Sequence, residues 1–282
     1  MLGLALAGLL AAALPASLAA QGLRQESGSV AADVPLLQAE TLAVWEAPEA
    51  DQGVAVDEDH FYAVDNSVIA KYSLTDGALV AKWEGDPERI AHLNSCYAEQ
   101  GKLWCANSNY PAAPMGSSVE VFDTGTLEHV ASHSLGMTEE GSLTWFAPMG
   151  NGFLAAFAHY DRRGAEYKDH RYSALVTFDK EWRRTGGWMF PPSITERMAP
   201  HAASGGAIGH DGRLYVTGHD RPEMYVLEAP EAGPYLVHVA TISLDIEGQA
   251  FAFSPDGDST ILVVDRTNGL VRRIRLPLIP SP

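Results

Sequence analysis

The chain has 282 residues, with 36 Asp and Glu against 19 Lys and Arg, a formal net charge of −17. A surface of that sign repels nucleic-acid backbones and anionic membrane faces, so neither is expected as a partner. The length suits one large domain.

Leu2 to Ala20 is uncharged and apolar, and a polar stretch begins at Gln21. This is the pattern of a secretory signal peptide over 1–20, cut near Ala19 or Ala20. An uncleaved anchor would show a similar apolar run. A linker is expected over 21–40, and the mature form, secreted or periplasmic, is expected to have no membrane span.

From Gly53 onward one unit recurs: strand, tight turn, strand, polar break, strand. The first copy reads Gly53 to Val56, Phe61 to Val64 and Val68 to Tyr72. The second reads Asn94 to Tyr97, Leu103 to Ala106 and Val119 to Phe122. The third reads Ser142 to Phe146, Phe153 to Phe157 and Ala174 to Phe178. The fourth reads Ser204 to Gly209, Arg213 to Thr217 and Met224 to Leu227. The fifth reads Gln249 to Phe253, Ile261 to Val264 and Leu270 to Ile274. Copies one to four each add a fourth strand: Leu79 to Trp83, His129 to His133, Trp188 to Pro191, Val237 to Leu244. The fifth has none, while Thr41 to Trp45 stands unused at the front.

A missing last strand and a spare first one imply ring closure, which hides two sheet edges. The reading is all-β: a five-bladed β-propeller over 41–282, closed by its N-terminal strand. A degenerate blade over 160–197 would make it six-bladed. Four-strand groups with tight turns favour a propeller over a β-sandwich or an open solenoid.

Cys96 and Cys105 are the two cysteines. With Gln100 and Gly101 at the turn centre they face each other across a hairpin, at a spacing that suits a disulfide in an oxidising compartment.

Within a blade the chain runs up and down, so the polar breaks and the segments leading into each first strand share one face. Loops held on a rigid scaffold are where sites usually sit. A polar pocket for a small polar molecule is expected there, at the mouth of the central channel. Gln52, Asn94, Thr144, Ser204 and Gln249 ring it, with His92, His159, His201, His219 and Glu247 nearby and Asn109 and Arg266 on the breaks. A water-filled channel whose ring residues only bond one another would show the same polar ring.

His201 is the expected acid–base group, with His92 beside it and Glu247 as partner. Glu247, Asn94 and His201 are also candidate ligands for a divalent ion, calcium or zinc, although no HxxxH or HExxH spacing exists. His219 beside Asp220 is a second candidate acid–base pair; adjacency in an extended segment would point the two side chains apart, and Asp220 suits capping the following turn equally well. Arg221 and Arg266 suit a substrate carboxylate. No GxSxG, P-loop or GxGxxG before a helix is present, so no serine elbow or nucleotide site is suggested. The functional readings are an enzyme, hydrolase or isomerase, and a propeller that binds a ligand or protein without turnover.

Five segments carry a resemblance: Gln52-Gly-Val-Ala-Val-Asp57, His92-Leu-Asn-Ser95, Ser108-Asn-Tyr-Pro111 with Ser117-Ser-Val-Glu-Val121, Gly141-Ser-Leu-Thr-Trp145 and Thr217-Gly-His-Asp-Arg-Pro222. Through them the chain resembles the secreted bacterial and fungal propeller proteins loosely grouped with the gluconolactonase-like and NHL-repeat superfamily, some labelled cycloisomerase. The resemblance implies small lactone- or sugar-like substrates. In gluconolactonase-like enzymes it also implies a metal held by Glu, Asn and Asp on channel strands. Glu247 and Asn94 are the nearest matches, and no complete set carries over. Six blades are usual in those enzymes.

Overall fold

The computed structural model of the chain describes residues 34–163 and 167–280, so the expected signal peptide lies outside the described residues. Two strands come first, β1 (Leu36–Gln38) and β2 (Glu40–Glu46). Blade one is β3 (Gly53–Val56), β4 (His60–Asp65), β5 (Val68–Ser73) and β6 (Leu79–Glu84). Blade two is β7 (His92–Glu99), β8 (Lys102–Ser108), β9 (Gly116–Asp123) and β10 (His129–Met137). Blade three is β11 (Ser142–Met149), β12 (Gly152–Ala158), β13 (Ala174–Asp179) and β14 (Arg184–Met189). Helix α1 (Pro192–Met198) follows. Blade four is β15 (Gly205–Ile208), β16 (Leu214–Thr217), β17 (Glu223–Glu228) and β18 (Val237–Ser243). Blade five is β19 (Phe251–Phe253), β20 (Thr260–Asp265) and β21 (Leu270–Arg275), completed by β2.

The fold is the expected five-bladed β-propeller. β2 pairs antiparallel with β21, Trp45 opposite Val271 and Glu40 opposite Arg275. β1, inside the stretch read as a linker, adds a parallel fifth strand to blade four, Leu37 opposite Ile242. The N-terminal segment therefore ties two neighbouring blades before the first blade begins.

There is no sixth sheet among the described residues. The segment offered for it holds a loop, a short 3-10 turn at His170–Tyr172, β13, β14 and α1. The helix was not anticipated, yet its signal is present. Pro192 occupies its start, where no N–H is needed, and Ile194, Thr195 and Met198 are its buried residues.

Burial follows position in the blade. β3 and β4 are almost wholly buried, because neighbouring blades cover both faces. The outermost β2 alternates exposed and half-buried, since only one face meets protein. The core divides into five clusters, one at each junction between blades. Trp45 and Ala47 belong to the junction of blades five and one, where Trp45 packs 5.4 Å from Phe61.

The first strands approach closely around the axis. A Cβ on Gly206 would lie 2.3 Å from the Trp145 ring, and one on Gly53 would lie 2.4 Å from the Asn94 carbonyl oxygen. The lower channel is a cavity of about 250 Å³ lined from all five blades, with Phe146, Phe251 and Phe253 in its wall. Polar Asn94 and Thr144 lie on the upper parts of their strands, so polar chemistry is concentrated at the mouth.

Cys96 and Cys105 are disulfide-bonded, with Cα atoms 4.1 Å apart. The register is the expected one, Glu99 opposite Lys102 and Cys96 opposite Cys105. Gln100 and Gly101 both have positive φ, 51° and 73°, as a tight two-residue turn requires.

Candidate functional site

α1 ends at Met198, and the His201 amide donates back to the Met198 carbonyl at 3.0 Å, which fixes His201 at the upper rim. Residues 219–222 form bends rather than extended chain, so His219 and Asp220 turn to the same side. The expectation that they point apart is corrected here. Asp220 lies between two imidazoles, with Oδ2 2.9 Å from His201 Nδ1 and Oδ1 2.6 Å from His219 Nδ1. The two rings stack at 4.2 Å. Asp220, not Glu247, is thus the carboxylate paired with His201.

Arg266 fixes the protons. Its Nη1 lies 3.0 Å from His219 Nε2, and a guanidinium only donates, so that nitrogen is bare. His219 therefore carries its proton on Nδ1 and donates it to Asp220. Burial is the main cause holding its pKa below the ordinary histidine value, with His201 and Arg266 acting the same way against Asp220. Burial works to raise the Asp220 carboxyl, but the hydrogen bonds from His219 and His201 outweigh it and keep the group ionised. With Asp220 accepting from Nδ1, Nε2 is the His201 ring nitrogen that meets no partner among the described residues.

The contacts continue around the rim. Arg266 Nε pairs with Asp51 Oδ1 at 2.9 Å, and Gln52 Nε2 donates to Asp51 Oδ2 at 2.7 Å. Asn66 Nδ2 donates to Asp65 at 2.6 Å, and Asn66 Oδ1 lies 2.6 Å from His92 Nδ1, so His92 is the donor. The His92 ring lies 5.1 Å from Tyr110, Tyr110 lies 5.0 Å from Tyr160, and Tyr160 meets His201 edge-on at 6.4 Å. Aromatic rings form one arc of the rim, and charged and amide groups form the other.

His92 is buried, and desolvation pushes its imidazole down to about 4; Asp51 opposes this and Arg266 adds to it. Its unfolded value is near 6.5, so only the unfolded chain takes up the proton between those two pH values. Stability is then present at neutral pH and is lost as pH falls from about 6.5 towards 4. Urea unfolding at pH 7 and pH 4.5 should show a loss from this group of about 2 kcal/mol that His92→Gln lacks. An equal acid loss in the two proteins would contradict this assignment.

The other expected ring residues differ in what they touch. The Thr144 hydroxyl donates to the Ala203 carbonyl at 2.8 Å, stitching blade three to the approach of blade four. Ser204 is half-buried, and its amide donates to the Thr217 carbonyl at 3.0 Å. Gln249 is buried, and its backbone carbonyl accepts from the Thr217 hydroxyl at 2.6 Å. Asn109 is exposed and braces its own loop through Pro114 and Gly116. His159 is buried in a cleft between blades two and three, with Nε2 3.2 Å from the Glu139 carbonyl. Asn94 is buried with an unpartnered Oδ1. Glu247 is exposed and accepts from Thr267 at 3.5 Å. Asp51, Asn66, Tyr110 and Tyr160 are rim residues that no sequence signal marks for the site, and Asp220, a candidate partner for His219, also meets His201.

Among the described residues two groups bring three ionisable ligands within 4.8 Å of one another: His201, His219 and Asp220, and Asp161, Asp169 and His170. Neither contains Glu247. Ligands around a tetrahedral zinc lie about 3.3 Å apart at bond lengths near 2 Å. The contacts to Asp220 are shorter, 2.9 and 2.6 Å, and Arg266 occupies the other nitrogen of His219. Two imidazoles also suit calcium poorly, because that ion takes oxygen ligands. The arrangement of His201, His219 and Asp220 fits shared protons rather than an ion.

No protein-family model matches the chain, and no curated protein matches it in sequence. Solved structures do. The glutaminyl cyclase of Myxococcus xanthus superposes with a TM-score of 0.58 at 10% identity, covering 87% of this chain and 99% of that one. A luciferin-regenerating enzyme gives 0.52 at 10% identity, covering 85% and 97%. The PQQ-bound aldose sugar dehydrogenase of Streptomyces coelicolor gives 0.50 at 13% identity, covering 86% and 83%. At such identities the likeness is one of fold.

Proposed function

We propose that this chain is an exported enzyme, secreted or periplasmic, that opens or isomerises a small lactone- or sugar-like substrate by acid–base chemistry at the channel mouth. The observation that carries the reading is Asp220 held between His201 and His219 while Arg266 pins the His219 proton. A carboxylate that fixes one imidazole nitrogen leaves the other poised as a base.

For a lactone, His201 Nε2 takes a proton from water as the water oxygen bonds to the carbonyl carbon. The carbonyl π pair moves onto its oxygen. When that pair returns, the ring C–O bond breaks, and the leaving oxygen takes the proton from His201. Lactone and water become a hydroxy acid, and His201 is neutral again. Asp220 steadies the imidazolium between the two steps.

Export is supported by the disulfide, which suits an oxidising compartment. Among the described residues no helix is long and apolar enough to cross a membrane. The test is hydrolysis of a lactone panel led by δ-gluconolactone, above the spontaneous rate, before and after dialysis against EDTA. Activity that survives the chelator is expected. Activity lost with it and restored by zinc or calcium would replace the proton mechanism with a metal one. Binding without turnover would favour a ligand-capturing propeller.

A further inference from the structure

Among the described residues, the hydroxyl of Tyr160 is a rim donor to which the lactone scheme gives no task. Tyr160 follows β12 and stands in the aromatic arc between Tyr110 and His201. It is half-buried, and its hydroxyl makes no hydrogen bond among the described residues. Other tyrosines in comparable settings are engaged. The hydroxyls of Tyr62, Tyr72, Tyr215 and Tyr225 all donate to carboxylates, and that of Tyr110 accepts from Arg163. Tyr97 also lacks a partner, but it is packed against Trp104 and Phe146 below the rim.

We propose that Tyr160 donates its hydroxyl hydrogen bond to the substrate carbonyl oxygen, beside the base His201. The role rests on the lactone reading above. As water adds, negative charge gathers on that oxygen, and a preplaced donor stabilises it most at that moment. Desolvation raises the phenol, so it stays protonated and serves as a donor, not a base. Tyr160 keeps its proton throughout, and the proton balance of the reaction is unchanged. Two of the guanidiniums near the rim are already engaged, Arg266 with Asp51 and His219, and Arg163 with Tyr110.

The test compares Tyr160→Phe with His201→Ala on δ-gluconolactone, after near-ultraviolet circular dichroism confirms both folds. Tyr160→Phe should lower kcat about 100-fold with KM within about threefold, the signature of a lost transition-state donor. In protein labelled with ¹³C at tyrosine Cζ, the resonance missing from Tyr160→Phe should shift when gluconate saturates the wild type. Tyr160→Phe at the wild-type rate with His201→Ala at background would sink the Tyr160 role and leave the His201 reading standing. Both variants at the wild-type rate, or a wild type without lactone hydrolysis, would remove the reading and the role together. A Tyr160 resonance unmoved by gluconate would overturn the role whatever the rates.

Discussion

A chain begun at Ala47 should fail to yield a stable monomer, whereas one begun at Val34 should fold. The first lacks β1 and β2. It leaves β21 as an open edge, strips β1 from β18, and removes Trp45 from its packing against Phe61. Nothing else in the described chain substitutes, because each blade interface has its own cluster and the ring has no spare strand. Removing a half-buried tryptophan, a full strand pairing and part of an interface is expected to cost about 5 kcal/mol, a large share of a typical stability. For a domain of this size that is a fall of about 10–20 °C in Tm. The unpaired edge should also promote association, visible as higher-order species on size exclusion. A truncated chain that stays monomeric and melts with the longer one would show that β2 does not close the ring. Trp45→Ala alone should cost about 2 kcal/mol, since the ring still closes.

The second large effect is at the base. Asp220→Asn should lower lactone turnover about 10³- to 10⁴-fold with the fold intact, and His201→Ala should do the same. An amide cannot take two imidazole protons as a carboxylate does. It offers an N–H to one of the two rings and so disfavours the tautomer that leaves His201 Nε2 bare. The double variant should be no worse than either single one, because the two residues act as a unit. Additive losses would mean separate tasks. Glu247→Gln, by contrast, should change turnover little, because its carboxylate is exposed and meets Thr267.

The scaffold was legible because strands and turns leave local marks. The hairpin at Gln100 and Gly101 set the register that joined Cys96 to Cys105. A front strand with no partner and a last blade with no edge implied closure. The site was legible only as a face. His201 and His219 were chosen as mouth residues, but their bond through Asp220 depends on a bend over 219–222 and on a turn of helix ending at Met198. Neither is a periodic pattern. Arg266 reaches His219 across 47 residues and Asp51 from another blade, a proximity that no spacing announces. Glu247 was favoured as a carboxylate beside a first strand, yet that position faces solvent. α1 escaped because seven residues are too few to show helical periodicity, although Pro192 marked its start.

The proton arrangement on the two stacked histidines is the feature on which the proposed chemistry turns. Long-range ¹H–¹⁵N correlation spectra of ¹⁵N-histidine protein at pH 7.5, assigned with His201→Gln and His219→Gln, read the state of each ring nitrogen. Both rings should carry a proton on Nδ1, and Nε2 of His219 should be bare. Arg266→Ala should free His219 to change tautomer while His201 keeps its own. A bare Nδ1 on His201, or an imidazolium at His219, would contradict the proposed proton path.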